Sequence, residues 1–136
     1  MAIDKYLLEV YSTTLFKVFN SRIEIRIGYN SSALDDLLIT HNCDDWAFIT
    51  PYNPHSSKFP RQDLANYLRL AELKKDLRSY IILEGEGIGT DPNWLPERSF
   101  LILGIDKSEA EKLGRKYEQN TIVIGRKGEK PDLIWL

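Results

Sequence analysis

The chain has 136 residues, 43% of them hydrophobic and 28% charged, with 18 Lys+Arg against 20 Asp+Glu. A chain of this length removes roughly two thirds of its unfolded surface from water, enough for one core and too short for two ordinary domains, so a single globular domain over residues 1–136 is expected. A formal charge of −2 gives no field that draws the whole molecule to nucleic acid, and no apolar run approaches the ~20 residues of a bilayer span, so neither nucleic acid nor a membrane is an expected partner.

Asp4 to Tyr11 suits a short opening helix, with Leu7, Leu8 and Tyr11 at helical spacing. Thr14 to Phe19 then changes to β-branched and aromatic residues, Asn20-Ser21 is a turn signal, and Arg22 to Ile27 alternates polar and apolar. These segments read as an N-terminal hairpin. Ser32 with Asp35 three positions later is a capping signature for a helix to about Thr40. Trp46 to Thr50 is a continuous apolar run of the kind buried on both faces, stopped by Pro51 and Pro54. A long helix is expected from about Arg61 to Arg78, with Leu64, Leu68 and Ala71 on one stripe and Leu70, Leu73 and Leu77 on another almost opposite, as in a helix wedged between neighbours. Asn66 falls on the second stripe and should point inward.

Tyr80 to Leu83 is a further buried-type strand, followed by a polar, glycine-rich stretch, Glu84 to Asn93, expected as a loop. Ser99 to Leu103 is the next strand, and Asp106 with Glu109 caps a helix to about Tyr117. Thr121 to Ile124 and Leu133 to Leu136 complete the strands, separated by a turn at Arg126 to Lys130. The alternation predicts an α/β fold, or a mixed α+β one, whose sheet is mostly parallel with the N-terminal hairpin added and helices packed on it. Under that topology one rim collects Tyr52 to Ser57, Asn66, the Glu84 to Trp94 loop, Glu97, Ser99, Gln119 and Asn120. Ligands in open sheets favour such a rim.

The same rim carries a family resemblance. Ala47-Phe48-Ile49-Thr50-Pro51-Tyr52-Asn53-Pro54, Asn66-x-x-Arg69, Trp94-x-x-Glu97-x-Ser99-Phe100 and Tyr117-Glu118-Gln119-Asn120 resemble, in that order, the family called domain of unknown function 3293. The resemblance covers about Ile25 to Ile124. Pro51 stands where a small residue often precedes the Tyr-Asn-Pro, and Thr121 where alanine is common, but neither departure touches a polar group. The resemblance implies a small, bacterial-type soluble domain and no reaction.

Glu97 is the candidate acid-base group or cation ligand, set between Trp94, which offers a flat surface for a substrate, and a buried strand. Its alternative role is to pair Arg69 or Arg98. Tyr52, Asn53, Ser56, Asn66, Arg69, Trp94, Ser99, Gln119 and Asn120 are the candidate ligand-binding residues, mostly uncharged amides and hydroxyls. Asn53 before Pro54 also suits a plain turn, and Asn66 a buried amide that anchors the 52–57 loop. Gly85-x-Gly87-x-Gly89 lacks the helix that a dinucleotide fingerprint needs, so a turn is favoured over an anion cradle. His55-Ser56 has no nucleophile elbow, and one Cys and two His argue against zinc at His41-x-Cys43. The basic residues Arg61, Arg69, Lys74, Lys75 and Arg78 spread around the long helix among Asp63, Glu72 and Asp76 and make no duplex-binding stripe. The lone cysteine precludes an internal disulfide, and Met1 to Asp4 lack a signal-peptide pattern, so a cytoplasmic setting is expected.

Three functions follow in order of preference. The first is a binding or regulatory domain for a polar, nucleotide-like ligand at the rim. The second is a hydrolase or nucleotide-processing enzyme using Glu97. The third is an accessory protein acting through a protein partner. The residues name no cofactor.

Overall fold

The computed structural model describes residues 5–54 and 63–136. The chain order is α1 (Lys5–Ser12), β1 (Leu15–Val18), β2 (Glu24–Ile25), α2 (Ser32–Thr40), β3 (Asp45–Ile49), α3 (Asp63–Asp76), β4 (Ile81–Ile88), β5 (Glu97–Leu103), α4 (Lys107–Lys116), β6 (Thr121–Arg126) and β7 (Asp132–Trp135). All seven strands form one sheet in the order β2-β1-β4-β5-β3-β6-β7. Every ladder is antiparallel.

The mostly parallel sheet expected from the helix-strand alternation is therefore wrong, and the fold is α+β. The helix α3 does join two strands that run in the same direction, β3 and β4. They are not neighbours, because β5 returns from β4 and inserts between them. A crossover helix fixes relative direction more firmly than adjacency, and here an antiparallel strand fills the gap. The rim was inferred from parallel pairing, which is absent among the described residues; antiparallel pairing nonetheless places the ends of β3 and β4 where β5 and β6 begin.

Period-2 alternation builds two cores from the central strands. Ala47, Ile49, Phe100 and Ile102 face α3 and α4, packing on Leu70, Leu73, Leu77, Ala110 and Tyr117. Trp46, Phe48, Leu101 and Leu103 face the other way, onto Leu34 and Leu38 of α2 and onto Val18 and Ile25. Full burial of each such side chain contributes about 1.5–3 kcal/mol, which is why β3 and β5 read as unbroken apolar runs. Gly28, just past β2, donates its N–H to Pro131 O at 3.1 Å, just before β7. The two ends of the strand order are thereby brought together, and the sheet curls around α2.

Local expectations fared unevenly. Asp106 caps α4, its side chain accepting from Glu109 N, as its spacing predicts. The cap of α2 is Ser31 rather than Ser32, one residue earlier, because Ser31 has the extended backbone that lets its side chain accept from Leu34 N. The second hairpin strand shrinks to Glu24–Ile25. The glycine-rich stretch is not a loop at its start, since β4 continues to Ile88. Gly85 is required there: a Cβ would lie 2.3 Å from Lys17 O of β1. Among the described residues the helix α3 is not wedged between two neighbours. Leu70, Leu73 and Leu77 are buried, while Leu64, Tyr67 and Leu68 are 68, 64 and 58% exposed.

Candidate functional site

Two backbone features bring the amides to the rim. Asn53 adopts a left-handed conformation at φ 47°, which asparagine tolerates better than most residues, and this turns the chain sharply after Tyr52. At the far end of α4, Glu118 is left-handed at φ 56°. Its N–H donates to Arg115 O and that of Gln119 to Gly114 O, a Schellman closure made without glycine. The closure leaves Tyr117 O at the helix end. Arg69 donates to that carbonyl and, through Nε at 2.8 Å, to Pro51 O. A guanidinium at a helix C-terminus also complements the helix dipole. Gln119 Nε2 donates to Tyr52 O at 2.9 Å and to Tyr117 O at 3.1 Å.

At the centre of the rim is an amide relay. The Asn53 N–H donates to Asn66 Oδ1 at 3.2 Å, Asn66 Nδ2 to Asn53 Oδ1 at 3.1 Å, and Asn53 Nδ2 to Glu97 Oε2 at 2.5 Å. Both asparagines are only 5% exposed, so these bonds stand in place of water. The orientation of each amide follows from chemistry. A backbone N–H only donates, so Asn66 must present oxygen to it, Asn53 must then receive nitrogen from Asn66, and Glu97 must be the acceptor at the end.

Burial pushes the Glu97 carboxyl from an ordinary 4.5 up to about 7, against hydrogen bonds from Asn53 and Trp94 that favour the charged form. Among the described residues no cation is paired with it. Arg98 lies 3.6 Å from Glu84 and Arg69 lies 3.9 Å from Glu118. The pairing of Glu97 with either arginine, expected as its alternative role, does not occur. Tyr11 of α1 is a neighbour that the sequence reading missed. Its hydroxyl is raised by burial and by the charge of Glu97, and lowered by bonds to Asn120 and Thr121. Its ring meets Trp135 edge-on at a centroid distance of 5.7 Å. A helical Tyr at core spacing carries no signal in sequence that it will reach a carboxylate more than 80 residues away.

Of the candidate ligand-binding residues, Asn53, Asn66 and Trp94 converge on Glu97, and Asn120 approaches through Tyr11. Arg69 and Gln119 hold the 50–52 turn to the end of α4, with Tyr52 contributing its carbonyl. Ser99 is buried and donates to Glu97 O within its own strand, so it braces the backbone instead of facing a ligand. Ser56, with His55 and Ser57, lies outside the described residues. Glu84 and Glu86 are ladder residues of β4, opposite Phe100 and Arg98. Among the described residues no three metal-ligating side chains gather, and no helix is long and apolar enough to cross a membrane.

A cleft of about 360 Å³ opens at the opposite edge of the sheet, lined by Asp45, Trp46, Lys107, Arg126, Glu129 and Asp132 among others. Its lining carries both basic and acidic side chains and selects no one charge. The rim is the stronger candidate, because a desolvated carboxylate with a neutral-pH titration is costly to maintain and is characteristic of working sites.

No curated protein and no solved structure matches the chain. The model of a family described as Protein of unknown function (DUF3293) matches residues 49–122, which run from the last residue of β3 to the start of β6 and include the whole amide relay, Glu97 and Arg69. That is more than half of the chain, and the chain belongs to the DUF3293 family.

Proposed function

We propose that the rim is a recognition site for a small polar, nucleotide-like ligand, with Glu97 as the group that meets it. The observation that carries this reading is the state of Glu97: desolvated, given one hydrogen bond by a buried amide relay, and not neutralised by any cation among the described residues. A chain does not keep such a carboxylate for stability, because an apolar residue would be cheaper in the same place. The amides have a supporting role in this reading. Asn53 and Asn66 bond each other and Gln119 bonds the Tyr52 carbonyl, so in this reading they hold Glu97 in place for the ligand beside the adjoining Trp94.

A second reading is favoured by one specific observation, the titration of Glu97 at about 7. A carboxyl poised near neutrality is matched to general acid-base work, which would make the protein an enzyme acting on the same ligand class.

A thermal-shift screen of nucleosides, nucleotides and divalent ions on wild type and Glu97→Gln tests both. A compound that raises Tm in wild type and not in the variant supports recognition through Glu97. Turnover of that compound, lost in the variant, selects the enzyme. A compound set that leaves Tm unchanged at every pH from 6 to 8 removes the ligand reading.

A further inference from the structure

We infer that the ligand met by Glu97 presents a planar pair of N–H donors on one carbon, the edge shared by guanine and by a guanidinium group. The inference rests on the rim being a recognition site and narrows what that site takes.

The relay has a fixed polarity. The Asn53 backbone N–H sets the direction of both amides, so Oε2 of Glu97 is committed as an acceptor. Trp94 also bonds the carboxyl, and an indole N–H can only donate. Every side chain among the described residues that bonds the Glu97 carboxyl is thus a donor. These donors favour the ionised form, yet they are neutral dipoles and burial outweighs them, lifting the carboxyl above its ordinary range.

An arriving group then has two choices. An acceptor, such as a phosphate oxygen or the ring nitrogen of an adenine edge, requires Glu97 to carry a proton on Oε1 and use it as a donor. A donor requires the ionised carboxylate, which the relay and Trp94 already favour. A donor therefore adds to what Asn53 already provides, while an acceptor requires the neutral carboxyl, whose Oε2 accepts the Asn53 bond more weakly than a carboxylate oxygen does. A carboxylate with both oxygens in one plane fits two parallel N–H groups, the geometry that makes carboxylate–guanidinium pairs strong. A guanidinium also brings the missing positive charge, and a guanine edge brings the same two donors without charge.

The experiment measures affinity by calorimetry for guanosine, arginine amide, inosine and adenosine at pH 6 and pH 8. Because binding selects the ionised carboxylate, guanosine or arginine amide should bind about tenfold more tightly at pH 8 than at pH 6, as linkage to one group titrating near neutrality requires. Inosine, which keeps one of the two donors, should bind more weakly than guanosine. Arginine amide binding without guanosine assigns the guanidinium source, and the reverse assigns the base. In Glu97→Gln the affinity should fall and the pH dependence vanish. Trp94→Phe, which keeps the carboxylate and removes one donor, should move the midpoint of the pH profile upward. Tighter binding of adenosine that grows toward pH 6 overturns the inference and leaves the recognition site standing. Absence of binding by all four probes, together with a thermal-shift screen that is silent, overturns both.

Discussion

Asn66 Oδ1 accepts the backbone N–H of Asn53 at 3.2 Å, and that bond orients the Asn66 amide and through it the Asn53 amide, whose nitrogen faces Glu97. Asn53→Gly tests the consequence. Glycine adopts φ 47° freely, so the turn persists while the donor to Glu97 is lost. The Glu97 carboxyl should then titrate above 7, followed by its side-chain carbon chemical shift. Asn53→Asp should raise it further, because two carboxyls would share one proton. An unchanged midpoint in both variants would show that the relay does not reach the carboxyl.

Glu97 also makes stability depend on pH in a direction opposite to that of a salt-bridged acid. Its folded value, about 7, lies above the ordinary 4.5. Below 4.5 the group is protonated in both folded and unfolded chains, and its contribution is complete. Between 4.5 and 7 the unfolded chain releases the proton and the folded one retains it, so stability falls as pH rises, and above 7 it levels off. At about 1.4 kcal/mol per pH unit the loss is at most about 3 kcal/mol, reduced by whatever solvent reaches the side chain. Glu97→Gln should abolish this slope in urea denaturation and be the more stable protein at pH 8.

The edge of the sheet at which Glu97 lies was legible in the sequence, because the direction of each strand follows from the helices and hairpins that join them. What the sequence did not contain was pairing. Nothing in Ser99 to Leu103 marks it as the strand that enters between β3 and β4, since its apolar run suits any central position. The extent of β4 was hidden by Gly85 and Gly87, which look like loop residues and are strand residues, Gly85 being kept small by the close approach of β1. The role of the amides was hidden for a different reason. Asparagine that recognises a ligand and asparagine that satisfies a buried N–H have the same composition, and only the bonds from Asn53 to Asn66 separate them.

The junction of α3 and α4 predicts an acid-side effect. Tyr117 is buried and its hydroxyl donates to Asp76 Oδ2 at 2.6 Å, while Lys116 Nζ reaches the same oxygen at 2.7 Å. The Lys116 and Tyr117 bonds hold the Asp76 carboxyl below its ordinary 3.8. Its contribution is therefore present above the ordinary value and is lost as pH falls through the lowered one. Tyr117→Phe should cost about 1–2 kcal/mol near neutrality, as expected for a hydrogen bond to a charged group. Asp76→Asn should remove part of the acid-side decline seen in denaturation between pH 5 and pH 2.

Gly85→Ala should damage the sheet where β1 docks on β4. The added Cβ meets Lys17 O at 2.3 Å and the Phe48 ring at 3.2 Å, so a backbone carbonyl must move. The expected cost is about 3 kcal/mol or more, at the upper end of overpacking. Gly87→Ala, whose Cβ meets nothing nearer than 3.6 Å, is the control and should change Tm little.

The two faces of α3 should respond very differently to truncation. Leu73 is fully buried against the sheet, whereas Leu68 is 58% exposed, although both occupy helical stripes of equal apolar character. Leu73→Ala should cost about 2–5 kcal/mol by losing burial and leaving a cavity. Leu68→Ala should stay within about 0.5 kcal/mol, as surface substitutions do. Equal losses at both positions would mean that the Leu64, Tyr67 and Leu68 face is covered in solution. The denaturation midpoint of Leu68→Ala, measured at two protein concentrations tenfold apart, then separates cover by a second copy, which is concentration-dependent, from cover within one chain.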